Sequence, residues 1–337
     1  MDRRSFISTL AGGLLIAPLA GEAQQPGTAV HVGFLAARPP ASPDQAAEFR
    51  SKNPFWLTLK ELGWVYGQNL VAEERWGESA EQLRAAAADL VRLKVDLLWT
   101  GGASLAKILQ LQTKTIPIVV YQAGADLVVE GFVSSLARPG GNLTGSQVLQ
   151  GALVPKRLEL LKALVPSLSR VALLQDGITS VAISQVLTRY TQQAAVAARP
   201  LGLEVHTFVV QHRDALASAF LDMMKARDQG LLVMSSIFFF AKRKDIVDLA
   251  LKHRIITLCE HSEYVEAGGL MSYGANSAEM LRRSAVYVDK ILRGAKPGDL
   301  PIEQPNKFDL VINLKTAKAL GLTIPPSLLQ RADQVME

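Results

Sequence analysis

The sequence contains a single cysteine, Cys259, among its 337 residues. One thiol cannot form an intramolecular disulfide, and it excludes every metal site that is built from several cysteines. Beyond the N-terminal segment, no apolar run approaches the length that crosses a bilayer. No GxGxxG motif follows an expected strand, so nothing in the sequence indicates a nicotinamide cofactor. We therefore expect neither a cofactor nor a metal.

The chain also lacks a strong excess of positive or negative charge. The chain has 36 Lys and Arg against 31 Asp and Glu, which gives a net charge of +5. Nucleic-acid-binding proteins concentrate their basic residues in a stripe or an arm, whereas here they are spread along the chain. Nucleic acid is therefore not an expected partner. Hydrophobic residues make up 49% of the chain, which is typical of globular proteins, and the length indicates two domains.

Residues 1–25 have the order of an export signal. Arg3-Arg4 forms the charged start, Leu10 to Leu19 is an apolar core too short to span a bilayer, and small residues follow it. Arg3–Ile7 also has the form of a twin-arginine signal, although only two residues precede the arginine pair. We expect removal of this signal peptide and a periplasmic mature protein without a transmembrane segment. A membrane-anchoring N-terminus is the alternative.

Strands and helices are expected to alternate along the chain. The apolar strands are nearly continuous, which is typical of parallel sheets that are covered on both faces. The alternation breaks at Arg138–Asn142 and restarts beyond Gly145, which predicts two similar α/β lobes. The expected strands are Val30–Ala36, Leu70–Trp76, Val95–Trp99, Ile116–Tyr121, Arg170–Leu174, Glu204–Val210, Gly230–Met234 and Ile255–Leu258.

The segment that begins at Pro301 is expected to complete a sheet begun earlier in the chain. Its start cannot be helical, because proline lacks a donor and forces its predecessor into extended geometry. Phe308 to Ile312 then has the pattern of a strand. A helix follows and ends at Gly321, and Pro325-Pro326 introduces a last short helix.

Five segments together resemble a known family. They are Arg3–Ile7, Arg138–Gly145, Lys156–Leu161, Glu266–Gly274 (EAGGLMSYG) and Glu303–Leu329. These segments are similar to those of solute-binding proteins of ABC-type uptake systems, in the periplasmic-binding-protein-like class I superfamily. The most similar branch includes binding proteins of the tryptophan and aromatic-amino-acid type. The resemblance covers the whole chain.

That resemblance implies two Rossmann-like, doubly wound lobes that close on a ligand by a hinge. Residues 28–145 plus 273–298 would form the first lobe, and residues 146–272 plus 299–337 the second. It further implies a monomeric, non-enzymatic protein. Such a protein captures a small molecule, amino-acid-like or aromatic, in the interlobe cleft and delivers it to the membrane subunit of an ABC permease.

Ligands of open α/β sheets bind at the carboxyl ends of the strands, which defines candidate residues in the first lobe. The Gly101-Gly102 turn leaves the backbone bare, and the helix that starts behind it directs amide donors towards the expected cleft. The alternative is that these glycines only permit a tight turn. The candidates in this lobe are Ala36, Ala37, Gly102, Ala103, Tyr121 and Gln122.

Candidates in the second lobe follow from the same rule. Phe238 and Phe239 could form an apolar wall of the cleft or, alternatively, a buried helix start. Asp176 and Glu260 could pair with a ligand ammonium, or serve as a helix cap or a solvated loop acid. Tyr273 could contact the ligand or pack at the hinge. The candidates in this lobe are Asp176, Ser235, Ser236, Phe238, Phe239, Glu260 and Tyr273.

Other functions have weaker support. Ser104–Lys107 matches the Ser-x-x-Lys of penicillin-interacting enzymes, but their Ser-Asp-Asn and Lys-Thr-Gly motifs do not occur. An enzyme of the doubly wound class lacks a nucleophile, base and orienting acid at recognisable spacing. A cytoplasmic repressor would need an N-terminal helix-turn-helix instead of an export signal. A ligand-sensing module of the same fold that signals to a receptor is the principal alternative.

Overall fold

The computed structural model describes residues 29–37, 42–177, 184–212, 214–234 and 236–337. These residues form two β-sheets with α-helices packed around them. The strands are β1 (Val30–Ala36), β2 (Leu70–Trp76), β3 (Leu97–Gly101), β4 (Ile118–Ala123), β5 (Leu143–Gln147), β6 (Arg170–Asp176), β7 (Glu204–Val210), β8 (Gly230–Val233), β9 (Ile256–Cys259), β10 (Met271–Ala275), β11 (Phe308–Asn313) and β12 (Gln334–Met336). The helices are α1 (Pro43–Lys52), α2 (Pro54–Glu61), α3 (Ala80–Arg92), α4 (Ala103–Gln112), α5 (Gln150–Leu164), α6 (Ser184–Ala198), α7 (Ala215–Lys225), α8 (Ile237–Ala241), α9 (Arg243–Lys252), α10 (Ser262–Glu266), α11 (Ser277–Leu292), α12 (Leu314–Leu320) and α13 (Pro326–Leu329).

The helix boundaries follow local sequence signals. Ser79 begins α3, because its side chain accepts a hydrogen bond from the backbone of Gln82 at 3.2 Å. Asn313 begins α12 in the same way, accepting from the backbone of Thr316 at 2.9 Å. Gly321 ends α12 in the left-handed region, with a φ of 73°. These caps satisfy backbone donors and acceptors that the helices themselves leave unpaired.

The first sheet has five strands in the order β2-β1-β3-β4-β5, and all of its pairs are parallel. Helices α3 and α4 cover one face, and α2 and α11 cover the other. Gly145 brings β5 close to β4, because a Cβ at this position would collide with the carbonyl oxygen of Val120. The strand order reverses beside β1, which is where open α/β sheets bind their ligands.

The second sheet has seven strands in the order β12-β11-β10-β9-β8-β6-β7. Only the β10–β11 pair is antiparallel among the pairs of this sheet in the described chain. Helices α5 and α6 pack on one face, and α7 and α9 on the other. Both sheets are thus mostly parallel and covered on both faces, which confirms the predicted fold of two doubly wound lobes.

The chain passes between the lobes after β5, after β10 and before β11. After β10 it enters α11, which is held to the first lobe where the Trp99 indole donates to Ser284 Oγ at 2.6 Å. Tyr273 lies within β10, so this crossing falls after Ala275 and not at residue 273 as the sequence predicted.

The last crossing also differs from the expected boundary at residue 299. Glu303 donates its backbone N–H to the Gly145 carbonyl and accepts from the Gln147 N–H, each at 2.9 Å. These bonds place it beside β5 in the first lobe, because an edge strand presents unpaired backbone groups that an extended segment can satisfy. The tail joins the second sheet only from Phe308 onward.

The core of the second lobe contains two residues that the sequence proposed as ligand contacts. Phe238 and Phe239 are buried among Phe220, Ile246 and Tyr264. Their rings contact one another at a centroid distance of 5.6 Å. The expectation of an apolar wall is therefore corrected in favour of its alternative, a buried helix start, because α8 folds inward against α9.

Replacement of Phe239 by Ala should destabilise the protein by about 3 to 5 kcal/mol, because it leaves a cavity where a side chain that is 0% exposed now packs. Urea denaturation measures this free energy of unfolding. Phe49→Ala is the control, since Phe49 is 60% exposed, and its effect should stay within about 0.5 kcal/mol. Unchanged stability of Phe239→Ala would contradict the core position.

Candidate functional site

The carboxyl-terminal strand ends of the two sheets meet in a region that we call the interlobe cleft. Gly102 at the end of β3 lies close to Ile237 at the start of α8, so that even a methyl group at Gly102 would come within 3.3 Å of the Ile237 side chain. Farther along, the Tyr190 hydroxyl of the second lobe donates to the Gly124 carbonyl of the first lobe. Arg189 and Glu130 form an ion pair beside it. These contacts hold the lobes against each other.

Gln122 is the most unusual residue at the first lobe's strand ends. Its φ of 47° lies in the left-handed region, which costs free energy for a residue other than glycine. The Ser146 hydroxyl accepts a hydrogen bond from its backbone N–H at 3.0 Å and stabilises this conformation. The side chain is 7% exposed, and its Nε2 has no hydrogen-bond partner within the described chain. A buried amide of this kind is a ready donor for a ligand.

Arg157 of α5 is 1% exposed and lies beside the crossings between the lobes. Its Nε donates to the Tyr273 carbonyl at 2.9 Å, and its Nη2 donates to Gln150 Oε1 at 2.8 Å. Its Nη1 has no hydrogen-bond partner among the residues that the structure describes. Burial lowers the pKa of the Arg157 guanidinium, and the negative charge of Glu260 opposes that shift. A buried cation with a vacant donor is costly unless an anion joins it.

Glu260 ends β9 with a side chain that is 4% exposed. His261 Nε2 lies 2.7 Å from Glu260 Oε1, and His261 Nδ1 lies 3.3 Å from the Ser277 hydroxyl. Burial alone would lower the pKa of His261, but the charge of Glu260 and its hydrogen bond outweigh burial and raise this pKa. The cluster spans the second crossing, because Ser277 begins α11.

Two tyrosines flank the cleft near the hinge. The Tyr121 ring stacks on Trp99 with centroids 6.0 Å apart, and its hydroxyl donates to the Ser277 carbonyl at 3.4 Å. Burial raises the pKa of Tyr121, with the charge of Glu263 adding to the shift, so the phenol stays protonated. Tyr273 packs on the same small apolar cluster as Tyr121, and its ring lies 6.0 Å from that of Phe308.

Asp176 has a positioning role at the end of β6. It accepts a hydrogen bond from the Ser236 hydroxyl at 2.6 Å. The same hydroxyl accepts from the Phe239 backbone at 3.1 Å and caps α8. Asp176 therefore fixes the start of the helix that approaches Gly102. Ser235, which the sequence also proposed, lies outside the described residues.

The remaining sequence candidates lie at or beside the ends of β1 and β3. Ala36 ends β1, where its carbonyl accepts from the Gly77 N–H at 3.2 Å, and Ala37 is buried behind it. Ala103 is buried in the first turn of α4. Gly102 has a φ of 78°, so the Gly101-Gly102 pair does form a tight turn, and Gly102 also borders the cleft. Gly102 therefore permits the tight turn and also lies at the border of the cleft.

Arg157 is the residue that sequence reasoning missed. A usable signal exists: Leu161 and Leu164 follow it at helical spacing on the buried face of α5, which places a charge on an apolar stripe. Charged residues are almost never fully buried without a partner or a function. Tyr190 has no comparable signal, because its bond to Gly124 arises only from the docking of the lobes.

One cavity of the protein lies away from the interlobe cleft. A groove of about 610 Å³ runs between α5 and α6, and no strand-end residue lines it. A second cavity of about 170 Å³ lies beside the cleft and is lined by Glu260, Glu263 and Ser277, among others. The described residues contain no group of three or more His, Cys, Asp or Glu side chains arranged to hold a metal ion. Nor does any helix among them have the length and apolar character that a membrane crossing requires.

Comparison with known proteins finds relatives that share the fold. A tyrosine-binding protein of Clostridioides difficile is 24% identical over 278 residues, which cover 81% of this chain and 77% of that protein. The ABC domain from Streptococcus pneumonia in complex with L-Trp matches with a TM-score of 0.78 and 24% identity, over 92% of this chain and 100% of that one. The ligand-free, open structure of a substrate binding protein from Clostridium difficile matches with a TM-score of 0.58 and 22% identity, over 91% and 99% of the two chains.

The sequence model of one family, described as ABC transporter substrate binding protein, matches residues 52–336. This match spans most of the chain, including every described strand except β1 and the three crossings between the sheets. The protein therefore belongs to the family of ABC transporter substrate binding proteins.

Proposed function

We propose that this protein is the extracytoplasmic solute-binding component of an ABC-type uptake system and that it binds an aromatic amino acid in the interlobe cleft. The observation that carries the proposal is Gln122, whose buried amide and left-handed backbone lie where the lobes meet. Proteins retain such strain and such unpaired polar groups mainly at binding sites. A ligand acceptor would satisfy the amide and offset its desolvation.

The aromatic character of the ligand is supported from two directions. Similar proteins are described as tyrosine-binding and as a complex with L-Trp. In this chain, Tyr121 with Trp99 and Tyr273 with Phe308 supply ring surfaces beside the cleft. Aromatic rings stack favourably on other rings and on flat apolar groups. Tyr121, Gln122, Gly102, Glu260 and Tyr273 are the residues that we propose as the ligand's surroundings.

The arrangement of the lobes supports a closed, ligand-binding state. The structural similarity to the L-Trp complex has a TM-score of 0.78, against 0.58 for the ligand-free, open relative, although the identities are nearly equal. The Tyr190–Gly124 bond and the Arg189–Glu130 pair join the two lobes, as expected for a closed arrangement. Ligands stabilise the state that they bind better.

Delivery of the solute to a membrane permease and export to the periplasm as a monomer complete the proposal. They rest on the family and on the signal-like order of residues 1–25, which lie outside the described residues. Glu260 is the proposed partner of the ligand ammonium, since it is a buried acid beside the second crossing.

A thermal-shift titration tests the proposal. L-Trp or L-Tyr at 100 times its dissociation constant should stabilise the mature protein by about 2.7 kcal/mol, because it binds only the folded state. Gln122→Leu should weaken this effect, whereas Gln192→Leu, an exposed glutamine of α6, should retain it. A protein that is stabilised by a metal or a nucleotide but by no aromatic amino acid would contradict the proposal.

The pH dependence of stability tests the Glu260–His261 pair. Because the folded-state pKa of His261 is raised, its stabilising effect is complete below the unfolded pKa of about 6.5 and is lost as the pH rises through the folded value. His261→Gln should therefore lower the melting temperature most at about pH 5.5 and progressively less at higher pH. A difference that grows with pH would contradict the pairing.

A further inference from the structure

We infer that Arg157, together with Gln122, receives the carboxylate group of the ligand and thereby joins the two lobes. This inference rests on the proposed function, because it concerns the same cleft. It assigns the polar end of the ligand to two side chains, one from each lobe. Gln122 belongs to β4 of the first sheet, and Arg157 belongs to α5, which packs on the second.

The guanidinium of Arg157 is held in place by two contacts and leaves one nitrogen unused. The Tyr273 carbonyl accepts from Nε at 2.9 Å, and Gln150 Oε1 accepts from Nη2 at 2.8 Å. These two contacts fix both the position and the plane of the group. The remaining nitrogen, Nη1, is buried and has no hydrogen-bond partner within the part of the chain that is described.

The partner of Nη1 must be an acceptor, because a guanidinium only donates hydrogen bonds. An anionic acceptor is favoured, since charge-assisted bonds are about twice as strong as neutral ones. Gln122 Nε2 is likewise a buried donor without a partner. Two vacant donors, one of them charged, match the two oxygens of a carboxylate.

The charges at the cleft match an amino acid as a whole. Glu260 is 4% exposed at the end of β9, and its negative charge acts on the Arg157 guanidinium. A zwitterion presents its carboxylate to Arg157 and its ammonium to Glu260. Each charged end of the zwitterion would then face a side chain of opposite charge, which is how buried charges are tolerated.

The proposed contact between the ligand carboxylate and Arg157 also explains how ligand binding is coupled to the crossings between the lobes. Arg157 binds Gln150 at the first crossing and Tyr273 just before the second, so a carboxylate on Nη1 is attached to both crossings. The same carboxylate on Gln122 reaches the first lobe. Ligand binding then favours the arrangement in which Gln122 and Arg157 are close together.

Calorimetric titration with matched ligands tests the inference without a mutation. L-Trp, its amide and tryptamine share the indole and the amine, but only L-Trp carries a carboxylate. We expect the amide and tryptamine to bind about 100-fold more weakly or worse, because a site built for a hydrogen-bonded group rejects analogues that lack it. Amide binding within about threefold of L-Trp would overturn the inference alone and leave the proposed function intact. Absence of binding by both L-Trp and L-Tyr would overturn both.

Variants provide the second arm of this experiment. Arg157→Lys keeps the positive charge but loses the planar guanidinium, whose donors match the geometry of a carboxylate. The preference of the protein for L-Trp over its amide should therefore fall at least about tenfold. Circular dichroism melting shows that the variant is folded. Lys156→Met is the control, because Lys156 is partly exposed and pairs with Glu159 at 3.0 Å. An unchanged preference in folded Arg157→Lys would overturn the assignment, and Gln122→Leu gives the same test if Arg157→Lys does not fold.

Discussion

The buried guanidinium of Arg157 connects two of the segments at which the chain crosses between the lobes. It joins Gln150, where the chain enters the second lobe, to Tyr273, where the chain is about to leave it. The hinge cluster of Val148, Leu153, Ala275 and Met280 packs around the same crossings. A buried charge is tolerated only when its surroundings satisfy it, and the two hydrogen bonds of Arg157 hold its guanidinium beside these crossings.

The strand ends acquire their roles from this arrangement. Gln122 is held in a strained conformation by Ser146, and Glu260 is held by His261 at the second crossing. The Tyr190–Gly124 and Arg189–Glu130 contacts then close the cleft from the side. The cleft thus combines donors, an acid and aromatic rings within one buried region, a composition that fits the proposed aromatic amino acid.

Most of the fold could be predicted from the sequence, because strands such as Arg170–Asp176 are apolar runs and helices such as α3 have clear caps. β5 could not, because its sequence, LTGSQ, has no apolar alternation; it is a strand because Gly145 allows close approach to β4. The pairing of Glu303 with β5 could not be predicted either, since it depends on which edge strand of the folded sheets has backbone groups left to pair.

The site was predictable in part, for a similar reason. Gln122 and Glu260 could be selected as candidates because strand ends are readable in a sequence, but Phe238 and Phe239 follow a strand and still turn into the core. Arg157 lies in the middle of a helix, and its importance comes from contacts with distant segments. Strand position identifies the neighbourhood of a site, whereas the tertiary fold decides which side chains face it.

A crystal structure of the protein with L-Trp or L-Tyr would show where the ligand lies and which side chains bind its carboxylate. We expect electron density for the amino acid between the ends of β4 and β9, with carboxylate oxygens about 3 Å from Arg157 Nη1 and Gln122 Nε2. Density in the groove of about 610 Å³ between α5 and α6, with Arg157 Nη1 still unoccupied, would contradict it.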